Sequence, residues 1–126
     1  MISRKRSVRK PGTGLYVDSR KKRKSEMGRA PVMTKVGESR RKTQRVLGGN
    51  IKRKILQTDK INLYDGSKFV VATLKSVSDN SANRNFIRQN ILTKGAVVDT
   101  DKGKAKITSR PGQVGTLNAV LVKEEK

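Results

Sequence analysis

The chain has 126 residues, with 31 Lys or Arg against 10 Asp or Glu, a formal charge of +21, and neither His nor Cys. Those absences remove the commonest general base near neutral pH, thiolate nucleophiles, disulfides and Cys-based zinc frameworks, and no Ser-His-Asp triad can be assembled. With 33% apolar and 3% aromatic residues there is material for one small core, and self-repulsion at this charge calls for a polyanionic partner.

Residues 1–43 carry 15 Lys or Arg and three acids, with 11 apolar residues among the 43. The cations come in clusters: Arg4-Lys5-Arg6, Arg9-Lys10, Arg20-Lys21-Lys22-Arg23-Lys24 and Arg40-Arg41-Lys42. Adjacent cations repel when nothing screens them, so this stretch is expected to be an extended arm that orders only on a partner. Pro11-Gly12-Thr13-Gly14 and Ala30-Pro31 interrupt any helix, while short helical turns are expected over residues 20–28, ending near Gly28. The acids here, Asp18, Glu26 and Glu38, suit local pairing with Arg or Lys.

Residues 44–126 read as a separate β body. Strands are expected near 43–47, 51–57, 60–64, 69–78, 85–92, 96–100, 104–109 and 116–122, in runs rich in β-branched residues. Turn signals separate them: Gly48-Gly49-Asn50, Asp65-Gly66-Ser67, Asp79-Asn80-Ser81, Asp101-Lys102-Gly103 and Arg110-Pro111-Gly112. Val70, Ala72 and Leu74 share one side of a strand, as do Leu117, Ala119 and Leu121, and Ala105 with Ile107. Short strands at this spacing predict a mainly β fold, a small antiparallel β-barrel, because closure removes exposed edges where core is scarce. Phe69 and Phe86 lie in strand patterns and are assigned to that core.

Clustered Lys and Arg match a polyphosphate, where each neutralised phosphate releases counterions. A nuclear-localisation tag would need only Arg20-Lys21-Lys22-Arg23-Lys24. RNA is favoured over DNA because helix-turn-helix, zinc-finger and basic-zipper patterns are missing and a Gly- and Pro-hinged arm suits irregular grooves. Tyr16, Tyr64, Phe69 and Phe86 are all the aromatic residues, so base stacking is expected to be minor and phosphate contact dominant. Gly48-Gly49 lies between basic strands, with Lys52, Arg53 and Lys54 following. It and Gly12 and Gly14 are candidate points of close backbone approach, with a tight hairpin and a flexible spacer as the plainer readings. Asp99 and Asp101 resemble a magnesium pair only on paper, since Asp101 opens a turn and Lys102 competes for it. No metal, cofactor, catalytic residue or small-molecule substrate is expected. The longest apolar runs, such as Phe69-Val70-Val71-Ala72, are four residues, against roughly 20 for a membrane span, so neither a span nor a secretory signal is expected.

Several stretches carry a family resemblance: Arg9-Lys10-Pro11-Gly12-Thr13-Gly14, Arg20 through Arg29, Thr34-Lys35-Val36-Gly37-Glu38, Gly48-Gly49-Asn50-Ile51-Lys52, Thr93-Lys94-Gly95-Ala96-Val97-Val98, Thr108 through Gln113, and Asn118-Ala119-Val120-Leu121. In order and spacing the chain resembles the eukaryotic/archaeal-type ribosomal protein eight of the small subunit. It is similar to the short archaeal form, running from Val98 to Asp101-Lys102-Gly103 without the long eukaryotic insertion. Met1-Ile2-Ser3-Arg4 departs from the family's usual Gly- and Trp-containing start. The resemblance implies a non-enzymatic constituent of the small ribosomal subunit, acting in translation, cytoplasmic and not a homo-oligomer, with ribosomal RNA and neighbouring ribosomal proteins as partners. The candidate RNA-binding residues are Arg4, Lys5, Arg6, Arg9, Lys10, Gly12, Gly14, Arg20, Lys21, Lys22, Arg23, Lys24, Arg29, Lys35, Arg40, Arg41 and Lys42 on the arm. Arg45, Gly48, Gly49, Lys52, Arg53 and Lys54 extend them onto the body. A DNA-compacting chromatin protein, an RNA-modifying enzyme and a ribosome assembly factor are the rival readings.

Overall fold

The computed structural model describes residues 8–17 and 19–122. Two compact units divide between Pro31 and Val32. This lies earlier in the chain than the change in charge at residue 43, because residues 34–36 and 40–45 are strands of the second unit despite their cations.

In the first unit, Arg9 and Leu15 form an antiparallel bridge, closed by Lys10 N–H donating to the Gly14 carbonyl and Tyr16 N–H to the Val8 carbonyl, both at 2.9 Å. Pro11-Gly12-Thr13-Gly14 is the loop of this small hairpin. The helical turn expected over 20–28 is one 3-10 turn, Lys24–Glu26. The Glu26 carboxylate accepts the Arg23 N–H at 3.0 Å, satisfying that donor at the start of the turn, and also pairs with the Arg20 guanidinium.

The second unit contains a four-stranded sheet and a closed five-stranded barrel. The sheet runs in the order β2 (Arg40–Arg45), β3 (Ile51–Thr58), β1 (Thr34–Val36), β6 (Ile91–Leu92). The barrel runs β4 (Lys60–Tyr64), β5 (Phe69–Asp79), β7 (Val97–Thr100), β8 (Gly103–Ile107), β9 (Asn118–Leu121), and closes through β4 against β9. That closing pair is parallel, the exception to an otherwise antiparallel barrel. The long β5 pairs first with β4 and then with β7, and register shifts at Leu74/Ser76 and Val77/Asp79 interrupt its ladder with β7.

Alternation fills the barrel, broken in β5 where the register shift after Leu74 turns Val77 inward. Ile61 and Leu63 of β4, Ala72 and Leu74 of β5, Val98 of β7, Ala105 and Ile107 of β8 and Ala119 of β9 are buried. Ile55 of β3 and Leu92 of β6 join the same cluster, so the sheet is fixed to the barrel by shared core.

Three expectations need correction. Residues 85–92 are not one strand: Asn85–Arg88 form a short helix, α1, and only Ile91–Leu92 pair as β6. The Asn80 carbonyl side-chain oxygen accepts from Ala82 N–H, and that of Asn83 from Asn85 N–H, so these asparagines start a helical turn where strand pairing would begin. Phe86 is half-buried rather than a core residue, and Phe69 is 72% exposed. With Ala72 and Leu74 inside, Phe69 has the outward parity. The strand expected over 43–47 is instead Arg40–Arg45, drawn out by pairing with β3 over charged residues of low strand propensity.

Candidate nucleic-acid interface

The sheet gathers cations that are spread along the sequence. Lys42 pairs directly with Lys54, Gln44 with Lys52, and Arg40 with Gln57; Gln57 in turn pairs with Lys35 of β1. Directly opposed residues project to the same side of a sheet, and alternate residues along a strand do too. Lys35, Arg40, Lys42, Lys52 and Lys54 therefore line one face, the register shift between Arg40 and Arg41 letting Gln57 share it although Ile55, two residues earlier, faces the other way. The other face buries Thr34, Ile55 and Thr58 against the barrel. Arg41, Thr43, Arg45 and Arg53 share parity with Ile55 and leave by that second side.

Local sequence holds this face in place. Gly48 and Gly49 have φ of 72° and 75°, two successive left-handed residues that let β2 reverse into β3. Val46 N–H donates to the Asn50 carbonyl at 2.7 Å and the Asn50 amide to the Leu47 carbonyl at 3.2 Å. The tight-hairpin reading of Gly48-Gly49-Asn50 is thus the geometry found. Farther along, Ile55 N–H donates to the Pro111 carbonyl at 2.9 Å, and a Cβ on Gly115 would lie 3.0 Å from the Arg53 Cβ. Gly115 of the 110–116 loop packs against the Arg53 stem, where a side chain would be crowded. Arg41 lines a cavity of about 220 Å³ with Ile55, Thr58, Lys60 and Leu117.

One pair of like charges stands directly opposed across β2 and β3, Lys42 against Lys54, and neither strand contains an acid. Among the described residues none of the seven Arg and Lys side chains of these two strands enters an ion pair. Unpartnered, this face is repulsive; against an array of phosphates the same repulsion becomes attraction.

The other sequence-named residues divide as follows. Arg9, Lys10, Gly12, Gly14, Arg20, Lys21, Lys22, Arg23, Lys24 and Arg29 belong to the first unit, where the cations are exposed. Lys10 Nζ lies 5.8 Å from the centre of the Tyr16 ring, and Arg20 is held by Glu26, as expected for that acid. Glu38 makes no such pair among the described residues. Arg4, Lys5, Arg6 and Asp18 lie outside the described residues. Asp99 accepts a hydrogen bond from Ser76 Oγ and Asp101 from Thr73 N–H, so both carboxylates serve the β5–β7 junction.

Sequence reasoning missed the barrel's own cations. Lys60, Lys75, Lys104 and Lys106 are exposed. The alternation Lys104-Ala105-Lys106-Ile107 carried that signal, since Ala105 and Ile107 point inward and the lysines must point out. It also missed the exposed position of Phe69.

No helix among the described residues is long and apolar enough to cross a membrane. Residues 3–122 match the family model described as ribosomal protein S8e. The small ribosomal subunit protein eS8 of Methanobrevibacter smithii is 47% identical over 123 residues, which is 96% of this chain and 98% of that protein. Its namesake in Nanoarchaeum equitans is 53% identical over 110 residues, 86% of this chain and 87% of the relative. In Methanocorpusculum labreanum the figure is 46% over 124 residues, 97% of this chain and 99% of the relative.

Proposed function

The chain belongs to the ribosomal protein S8e family, and from that premise we propose that the outer face of its small sheet clamps phosphates of small-subunit ribosomal RNA. The protein is a structural constituent of the small ribosomal subunit, not an enzyme, and works in translation within the ribosome. Ribosomal RNA and neighbouring ribosomal proteins are its partners; a role in compacting DNA or in transient assembly is not supported by these relatives.

One observation carries the finer reading: Lys35, Arg40, Lys42, Lys52 and Lys54 converge on one face of a sheet whose opposite face is anchored to the barrel through Thr34, Ile55 and Thr58. Strands hold the roots of these side chains in fixed register, so the ordering cost of binding falls on the side-chain ends alone. Each phosphate met releases condensed counterions, which makes affinity high and salt-dependent while carrying little sequence information. The cations of residues 9–29 add to the contact as an arm along the RNA, and the protein acts as a single copy in the cytoplasmic ribosome.

The combined variant Lys42→Gln, Lys52→Gln, Lys54→Gln tests this in a binding titration with small-subunit ribosomal RNA. These side chains are outside the core, so circular dichroism should be unchanged. Affinity should fall, and the slope of log affinity against log salt should shrink by about 0.7–0.9 per lost contact. Unaltered affinity and slope would remove the sheet face from the interface.

A further inference from the structure

The outside of the barrel carries a feature that phosphate neutralisation does not use. Alternation turns Lys60, Asn62 and Tyr64 of β4 outward, opposite Thr73, Val71 and Phe69 of β5. Val120 of β9 pairs with Tyr64, and Lys106 of β8 pairs with Val120. Outward positions of a β surface are ordinarily polar. Here Phe69 is 72% exposed and Val71 60%. The Tyr64 and Phe69 rings lie 5.0 Å apart between centroids, tilted by 42°, and the Tyr64 hydroxyl donates to the Gly66 carbonyl at 2.7 Å. One ring of the pair is therefore pinned, and the other stands largely in solvent.

We propose that the Tyr64–Phe69 pair is a stacking platform for an unpaired nucleobase of the bound RNA. The inference rests on RNA being the partner and adds a second, chemically different contact to it. A base can lie on the open face of Phe69, whose ring is braced by the tilted Tyr64 ring, and Val71 and Val120 extend the apolar floor. Exposed Lys60, Lys68 and Lys106 stand around the patch, with Asp65 in the adjoining turn. A nucleotide presents both an aromatic plane and a phosphate, and so meets rings and ammonium groups together. An apolar protein surface would cover the rings but strip water from the lysines without replacing it.

The chain has no Trp, so Phe69→Trp in the full-length protein supplies a single tryptophan at the platform, excited selectively over the two tyrosines. The probes are a short oligoadenylate single strand and a blunt RNA duplex of equal length. The single strand should quench the emission saturably and the duplex should leave it unmoved. In a parallel titration, Phe69→Ala should weaken single-strand binding roughly five- to 150-fold and leave duplex binding as it was. Unmoved emission with both probes, together with unchanged Phe69→Ala affinity, overturns the platform and leaves a protein neighbour as occupant of the patch; persistent duplex binding would then keep the phosphate reading intact. Failure of the unsubstituted chain to bind either probe overturns both readings.

Discussion

Thr34 is fully buried in the centre of the small sheet, and its Oγ1 donates to the Ile55 carbonyl at 2.6 Å. Thr34→Val keeps the shape and removes the donor, so chemical denaturation should show a loss of about 0.5–1.5 kcal/mol. Ile107 is 1% exposed among Ala105, Ala119 and Val98 in the barrel, where small neighbours leave little to close a void. Ile107→Ala should cost about 2–5 kcal/mol by the same measurement. At this scale the sequence was legible wherever parity alone decides. Val70, Ala72 and Leu74 were read as one side of a strand, and that same parity sends Phe69 to the other. Assigning Phe69 to the core followed the average burial of its residue type against the alternation around it. Thr34 was not legible as core, because a lone threonine beside cations carries no pattern until β3 and β6 flank it.

The β2–β3 hairpin shows how an element can be built against its own stability. Opposed like charges weaken a strand pair by roughly 0.2–1 kcal/mol per pair. Lys42→Glu replaces the Lys42–Lys54 repulsion with attraction. The free protein should melt at a higher temperature, while its affinity for ribosomal RNA falls. A variant that gained neither stability nor lost affinity would show that these lysines are not set against each other for a partner. Added salt should act in the same opposed way, steadying the free hairpin and loosening the complex. The turn at Gly48-Gly49-Asn50 was legible because two left-handed residues demand glycine. Arg40–Arg45 was not, since a run of cations has the composition of an arm and only its register with β3 makes it a strand. The α1 helix was missed for the converse reason: Phe86, Ile87, Ile91 and Leu92 suggested a strand, whereas the asparagine side chains ahead of them had already committed the backbone to a turn.

For the whole molecule, charge and compactness divide the chain at different places. The densest cationic stretch ends near residue 43, but the second compact unit starts at Val32. Residues 32–126 should therefore melt cooperatively, and residues 44–126 should not: losing β1 strips β3 and β6 of their shared neighbour and removes Thr34 from the Ile55 carbonyl. Equal cooperativity in both truncations, followed by thermal circular dichroism, would show that β1 is dispensable. The barrel was legible from strand spacing and the need to close edges. The parallel closure of β4 on β9 was not, since no short-range signal fixes a pairing between residues so far apart in the chain. What unites the scales is the use of a small apolar core to hold repelling cations in register for a polyanion. The most direct test is the affinity of the full chain for small-subunit ribosomal RNA measured across a salt series. Log affinity should fall linearly with log salt, losing roughly a thousandfold or more between about 50 and 200 mM if six or more phosphates are neutralised; an affinity indifferent to salt over that range would contradict it.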